Sequence, residues 1–159
     1  MADGIRIKQA ESAAELRTAA TLFRGYADSL PVDLDYQDFG SELAGLPGKY
    51  APPRGALLLA QDAHGAALGC VGLRPLDADG VCEMKRLYLL PEARGLGLGR
   101  TLAEAVIAEA RRLGYRELRL DTLASMARAI ALYEAMGFVR IDPYYRPTPP
   151  GTVFMAMRL

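Results

Sequence analysis

The chain has 159 residues, 51% hydrophobic and 24% charged, the proportions of one globular domain spanning 1–159. Nineteen basic residues balance nineteen acidic ones, so no global field points to nucleic acid or an anionic membrane as a partner. A single histidine argues against a protein-only metal site, and no apolar run approaches the ~18 residues of a membrane helix.

The opening "MADGIRIKQAESAAEL" carries no signal-peptide h-region, from which a cytoplasmic protein is expected. "IRIKQA" alternates and predicts a short strand, and Ser12 with Glu15 makes a capping box for a following helix. Leu16, Ala19, Phe23, Tyr26 and Leu30 recur at helical spacing until Pro31 ends the run. A weaker helix is expected around Tyr36 to Leu46, then a loop at "LPGKYAPPRG".

From Ala56 the pattern turns to strands: "ALLLA", a turn at "DAHG", "AALGCVGL", a turn at "DADG", then "VCEMKRLYLL". These read as consecutive antiparallel strands. Cys70 and Cys82 lie inside them without metal or redox spacing and read as reduced core thiols; His64 reads as a turn residue. Leu98, Leu102, Ala105, Val106, Glu109 and Leu113 belong to one helix stopped by Gly114. After it come a strand "ELRLD", a helix near Met126 to Met136 closed by Gly137, a strand "FVRI", a loop "DPYYRPTPPG" and a closing strand "TVFMAMRL". The order is mixed α/β, with antiparallel pairs first and a strand–helix–strand crossover later.

"PEARGLGLGRTL", Pro91 to Leu102, carries the chemistry. A strand that runs into a glycine-rich turn and then a helix leaves backbone N–H groups unpaired and aims a partial positive charge outward, which makes an anion site. A P-loop requires Gly-Lys-Ser/Thr, but Gly99 is followed by Arg100 and Thr101, and position 94 is arginine. A dinucleotide fingerprint starting at Gly95 and Gly97 requires glycine at position 100, which is again arginine.

What fits is R-x-x-G-x-G, at Arg94, Gly97 and Gly99. This segment resembles the pyrophosphate-binding motif of the GNAT superfamily of N-acetyltransferases, and "AIALYEAMGF", Ala129 to Phe138, resembles the family's second signature. The order of elements matches over nearly the whole chain, least well from Leu22 to Pro53. The resemblance implies an α/β (α+β) three-layer fold: a mixed, mostly antiparallel central sheet flanked by about four helices. It also implies acetyl-CoA as co-substrate without a metal. The acceptor would be an amine of a small molecule or peptide, served by direct transfer in a ternary complex, and a homodimer is left open. Cofactor contacts would come from Leu87, Leu89, Arg94, Gly95, Leu96, Gly97, Leu98, Gly99, Arg100 and Thr101. One departure is Met126, where the family often has an asparagine that bonds pantetheine; Ser125 is its neighbour.

An alkylammonium at pH 7 cannot attack a thioester, and freeing its lone pair costs about 4 to 5 kcal/mol, so a base is useful. Glu83 is the candidate, at the start of the strand that leads to the glycines; the alternative is that it pairs with Lys85 or Arg86. The resemblance places a backbone donor for the thioester carbonyl near Leu87, and Tyr133 near the sulfur, either protonating the thiolate or only positioning it. Arg74, Arg86, Tyr88, Tyr144, Tyr145 and Arg146 are candidate acceptor contacts, an arginine suiting a carboxylate. A non-catalytic acyl-CoA binder and a nucleotide-binding module are the competing readings.

Overall fold

A computed structural model describes residues 4–159. One seven-stranded sheet carries the molecule, in the order β1-β2-β3-β4-β5-β7-β6. Its strands are β1 (Arg6–Gln9), β2 (Ala56–Gln61), β3 (Ala67–Pro75), β4 (Val81–Leu89), β5 (Glu117–Leu123), β6 (Val139–Ile141) and β7 (Thr152–Arg158). The helices are α1 (Ala13–Asp28), α2 (Phe39–Ala44), α3 (Leu98–Arg112) and α4 (Ala127–Met136). The mixed three-layer architecture expected from the sequence is present, and every neighbouring pair is antiparallel except β4 and β5. Among the described residues no helix is long and apolar enough to cross a membrane.

The first helix starts where its capping box predicts. Glu15 N–H donates to Ser12 Oγ and Ser12 N–H donates to Glu15 Oε1, each at 3.1 Å. It ends at Asp28 rather than running on to Leu30, with Ser29 closing its last carbonyls. β2 reads as an unbroken apolar run because both of its faces are covered. Leu57 and Leu59 pack with Ala19, Leu22 and Phe23 of α1, while Ala56, Leu58 and Ala60 pack with Leu102, Val106 and Ala110 of α3. α1 therefore lies on one face of the sheet and α3 on the other, each pressing an apolar stripe into it.

The helix expected from Tyr36 to Leu46 is divided. Leu34–Gln37 form a 3₁₀ turn, Asp38 takes a left-handed φ of 56°, and α2 begins only at Phe39. Leucine spacing could not reveal that break, since Asp38 tolerates the left-handed region through its short polar side chain. The "LPGKYAPPRG" loop also holds a 3₁₀ turn, Gly48–Tyr50, which buries Tyr50 against Phe23, ring centroids 5.7 Å apart.

Two irregularities shape the centre of the sheet. β4 and β5 pair for only three residues, Val81–Glu83 with Glu117–Arg119, and then diverge. Between Cys70↔Tyr88 and Gly72↔Lys85 the register slips, so Arg86 and Leu87 of β4 together oppose Val71 of β3. Arg86 sits in this bulge with φ 61°, strained for a residue with a side chain. The extra residue inverts the alternation of β4: Cys82, Met84, Leu87 and Leu89 join the α3-side core, and Tyr88 joins the α1-side core.

Candidate active site

The divergence of β4 and β5 opens a gap lined by Leu87 of β4, Leu120–Leu123 of β5, Tyr133 of α4 and Tyr26 of α1. On one side it continues into a groove of about 530 Å³ between the end of β4 and the starts of α3 and α4, lined by Leu87, Tyr88, Leu89, Arg94, Gly99, Ser125, Met126 and Leu132. The gap and the groove share Tyr26, Leu87 and Met126. On the other side lies a cleft of about 500 Å³ lined by Arg74, Asp77, Glu83, Arg119 and Tyr144, which shares Tyr36, Gln37 and Lys85 with the gap.

The glycine turn lies at the outer end of the groove. β4 stops at Leu89, and a 3₁₀ turn, Pro91–Ala93, intervenes before the glycines, a step the sequence pattern did not separate. Gly95 and Gly97 take φ of 82° and 78°, and a Cβ built on either meets nothing within 4 Å. Their glycine identity is therefore set by backbone conformation and by an open approach, not by close packing. Gly97 is the N-cap of α3 and supplies no side-chain cap, so the helix's first N–H groups face outward. Leu96 is an exposed apolar residue and Leu98 is fully buried as the first anchor of the helix. Arg94 donates from Nε to the Leu89 carbonyl at 3.2 Å, fixing the turn, and Arg100 forms an exposed pair with Glu104. Thr101 caps back onto the Gly97 carbonyl. Open left-handed glycines at an uncapped helix N-terminus fit a pyrophosphate such as that of acetyl-CoA.

Tyr133 is buried in α4, stacked edge-on against Phe138 with centroids 5.7 Å apart. Burial, followed by the nearby Tyr26 and Asp121, raises its phenol well above the usual range, so it stays protonated. Met126 stands at the N-cap of α4 without capping it; its sulfur accepts from Thr122 Oγ1 at 3.4 Å.

Glu83 is 1% exposed. Arg74 Nε donates to its Oε1 at 2.8 Å and the Tyr144 hydroxyl donates to its Oε2, so both oxygens are engaged. Lys85 is 4.0 Å away but makes its hydrogen bond to Asp121, at 3.2 Å. Of the two alternative partners for Glu83, Arg86 is not one: it turns toward α2, where its Nε and Nη2 grip the Glu42 carboxylate at 3.0 and 3.1 Å and its Nη1 reaches Gln37 at 2.6 Å. The bulge sends Arg86 there, because it breaks the alternation that would have set Glu83 and Arg86 on opposite faces.

Arg86 is thus a buried tie rather than an open acceptor contact. Burial alone would raise the Glu42 carboxyl, but Arg86, with Tyr50 and Arg74, outweighs it and holds Glu42 below the usual range. Tyr145 is no solvated loop residue: its hydroxyl donates to Asp121 Oδ2 at 2.6 Å and accepts from Gln37 Nε2 at 2.7 Å. Burial would likewise raise Asp121, and Lys85 first, then Tyr145, pull it below its usual range. Tyr88 packs edge-on to Tyr26 on the groove side, away from the cleft, and Arg146 is exposed.

The sequence reading missed Gln37, Glu42, Arg119 and Asp121. A signal existed for the last two: in "ELRLD" the alternation places Glu117, Arg119 and Asp121 on one face of a central strand, where an apolar face is expected.

Comparison with known proteins gives this arrangement relatives. The model of the acetyltransferase (GNAT) family matches residues 17–138. An uncharacterized N-acetyltransferase of Schizosaccharomyces pombe is 43% identical over 138 residues, 87% of this chain and 85% of that protein. A GNAT-family acetyltransferase from Staphylococcus aureus shares the fold at a TM-score of 0.80 and 20% identity, covering 97% of this chain and 98% of its own. The protein yncA of Salmonella typhimurium, solved with its cofactor acetyl-CoA, shares it at 0.70 and 20% identity, over 98% and 94%.

Proposed function

The chain belongs to the acetyltransferase (GNAT) family, and on that premise we propose that it moves an acetyl group from acetyl-CoA directly to an amine, with both substrates bound together. The observation that carries this reading is the continuous run from groove to gap to cleft, joined through Leu87, Tyr26 and Lys85. A donor entering by the groove and an acceptor entering by the cleft meet between the diverging strands. The two cysteines support transfer without a cysteine-bound intermediate. Both are buried, burial raises the Cys70 thiol and pushes Cys82 up to about 12, and neither lines these cavities.

When bound, acetyl-CoA would supply the acetyl thioester, its pyrophosphate held by the Gly95–Gly99 turn and Arg100, its pantetheine arm lying along Leu87 and Leu89. The bulge at Arg86 and Leu87 leaves backbone out of the β3 ladder, and the Leu87 N–H is the candidate partner for the thioester carbonyl.

Glu83 is the candidate base, and its occupied oxygens give it a route rather than a contact. Tyr144 lines the cleft beside Glu83 and, held protonated by burial and the Glu83 charge, donates to the carboxylate. As the amine attacks, its N–H bond breaks toward the Tyr144 oxygen while the Tyr144 proton passes to Glu83 Oε2. Tyr133, with its raised phenol, is a hydrogen-bond donor that positions the sulfur, and the thiolate of a thiol near pKa 8.5 departs without full proton transfer.

The test is release of CoA from acetyl-CoA with a panel of amines, alongside thermal-shift titration with acetyl-CoA, CoA, ATP and NAD. Stabilisation by the CoA compounds and amine-dependent release are expected. Preference for ATP or NAD over CoA, or stabilisation by acetyl-CoA with no release from any amine, would overturn the reading.

A further inference from the structure

The cleft beside Glu83 has a basic floor under an acidic rim. Arg74, Glu83 and Arg119 stand in one row across β3, β4 and β5, since Arg74 pairs with Glu83 and Glu83 with Arg119 in register. Lys85 follows two residues on, and each of the three cations has its own carboxylate: Arg74 on Glu83, Lys85 on Asp121 and Arg119 on Glu117. The rim acids Asp38 and Asp77 are exposed, and water and salt screen them.

The cations differ in what they have left to give. Lys85 is spent on Asp121. Among the described residues, the only hydrogen bond from the Arg74 guanidinium runs from Nε to Glu83, with a loose 3.8 Å approach of Nη1 to Glu42. The only one from Arg119 runs from Nε to Glu117, and its guanidinium lies 5.3 Å over the Tyr144 ring. The terminal nitrogens of two arginines, side chains only 23% and 25% exposed, thus line the cleft without a hydrogen-bond partner. Half-buried guanidinium edges of this kind match a planar carboxylate.

We propose, building on the acyltransferase reading of this same site, that the acceptor carries a carboxylate beside its amine: a free α-amino acid or a close analogue, its carboxylate held by Arg74 and Arg119. A cleft of about 500 Å³ takes one such molecule. Polyamines and lysine side chains carry no carboxylate next to the reacting amine and leave the arginine edges unanswered. A peptide N-terminus, whose adjacent carboxyl is an amide, leaves both arginines unanswered.

The test uses matched trios, each an α-amino acid, its amide and the corresponding decarboxylated amine, assayed for CoA release and for equilibrium binding to the acetyl-CoA-loaded protein. The amino acid is expected to exceed both other members in kcat/KM by about 10- to 100-fold. Arg119→Gln is expected to narrow that preference to a few fold through KM, and Arg119→Lys to restore part of it, with acetyl-CoA binding confirming that each variant is folded. Equal use of the three members, or an unchanged preference in Arg119→Gln, overturns the carboxylate site and leaves the acyltransferase reading standing. Saturable, carboxylate-dependent binding without release of CoA keeps the site and overturns the transferase reading. Neither binding nor release with any member overturns both.

Discussion

The groove at one end of the split between β4 and β5 and the cleft at the other are built from different materials. The groove is walled by Leu87, Leu89, Ala129 and Leu132 and ends on the backbone of a glycine turn, with little charge beyond Arg94 and Arg128. The cleft is walled mostly by polar, charged and phenolic side chains drawn from β3, β4, β5 and two loops, several of them tied to residues far away in sequence, as Gln37 is to Tyr145 and Glu83 to Tyr144. A backbone-made site tolerates changes of side chain and fails when φ or a close approach is lost. A network of ion pairs fails when any one member is removed. The difference teaches that a site made of backbone and a site made of paired side chains fail in different ways, so substitutions on each side have distinct signatures.

The largest expected effect is on the network side. Arg86→Leu removes the guanidinium that grips the buried Glu42 carboxylate, leaving it the Tyr50 hydroxyl and a loose approach of Arg74, and should cost about 3 kcal/mol of stability, measured by denaturant titration. A loss under about 1 kcal/mol would show the cleft to be as tolerant as the groove. The pH dependence sharpens this. Glu42 and Asp121 have folded values below their ordinary 4.5 and 3.8, so their stabilisation is complete above those values and is lost as pH falls below them. The gap between wild type and Arg86→Leu should accordingly shrink in acid. A constant gap would mean that Glu42 does not titrate with the network.

Next in size, Glu83→Gln should lower kcat by about 10²-fold or more while acetyl-CoA binding stays intact. Unchanged turnover would remove Glu83 as the base. Tyr144→Phe, which cuts the route but keeps the carboxylate, should give a smaller loss in kcat with acetyl-CoA binding intact.

On the groove side, Gly97→Val forces a branched side chain into a left-handed conformation, for about 1 to 2 kcal/mol of stability. It should weaken acyl-CoA binding by more than that, since its Cβ projects into the open space before the helix. Gly99→Ala, at ordinary φ with only Leu132 and Leu89 carbons at 3.8 Å, should leave the fold nearly unchanged. Equal losses of fold and binding at Gly97 would reduce the turn to a connection. The smallest effect is expected at Tyr133→Phe, under about tenfold in kcat, because a phenol with so high a pKa contributes a hydrogen bond rather than a proton.

Much of the donor side was legible because it is local. The spacing of Arg94, Gly97 and Gly99 lies within one turn, and the following apolar stripe lies within one helix, so the order of residues along the chain is also their order in space. The antiparallel run from Ala56 to Leu89 was legible for the same reason: short turns such as "DAHG", with Gly65 at φ 82° and Asp62 Oδ1 accepting from two backbone N–H groups, pair neighbours in sequence. The partners of Glu83 were not legible. Lys85 and Arg86 stand two and three residues away along the chain, whereas its hydrogen bonds come from Arg74 on the adjoining strand and Tyr144 in a loop 61 positions on.

By itself, then, the sequence determined the mixed α/β order, the helix N-terminus after the glycines and the left-handed glycine turn before it, since each depends on φ preferences and periodicities that act over a few residues. Tertiary structure alone decided the rest. The split of β4 from β5 after three paired residues opened the gap. One extra residue in β4 turned Arg86 toward Glu42. The register that set Arg74, Glu83 and Arg119 side by side made the cleft floor. These are consequences of which strands pair and where pairing stops, and that is fixed by the packing of both sheet faces at once.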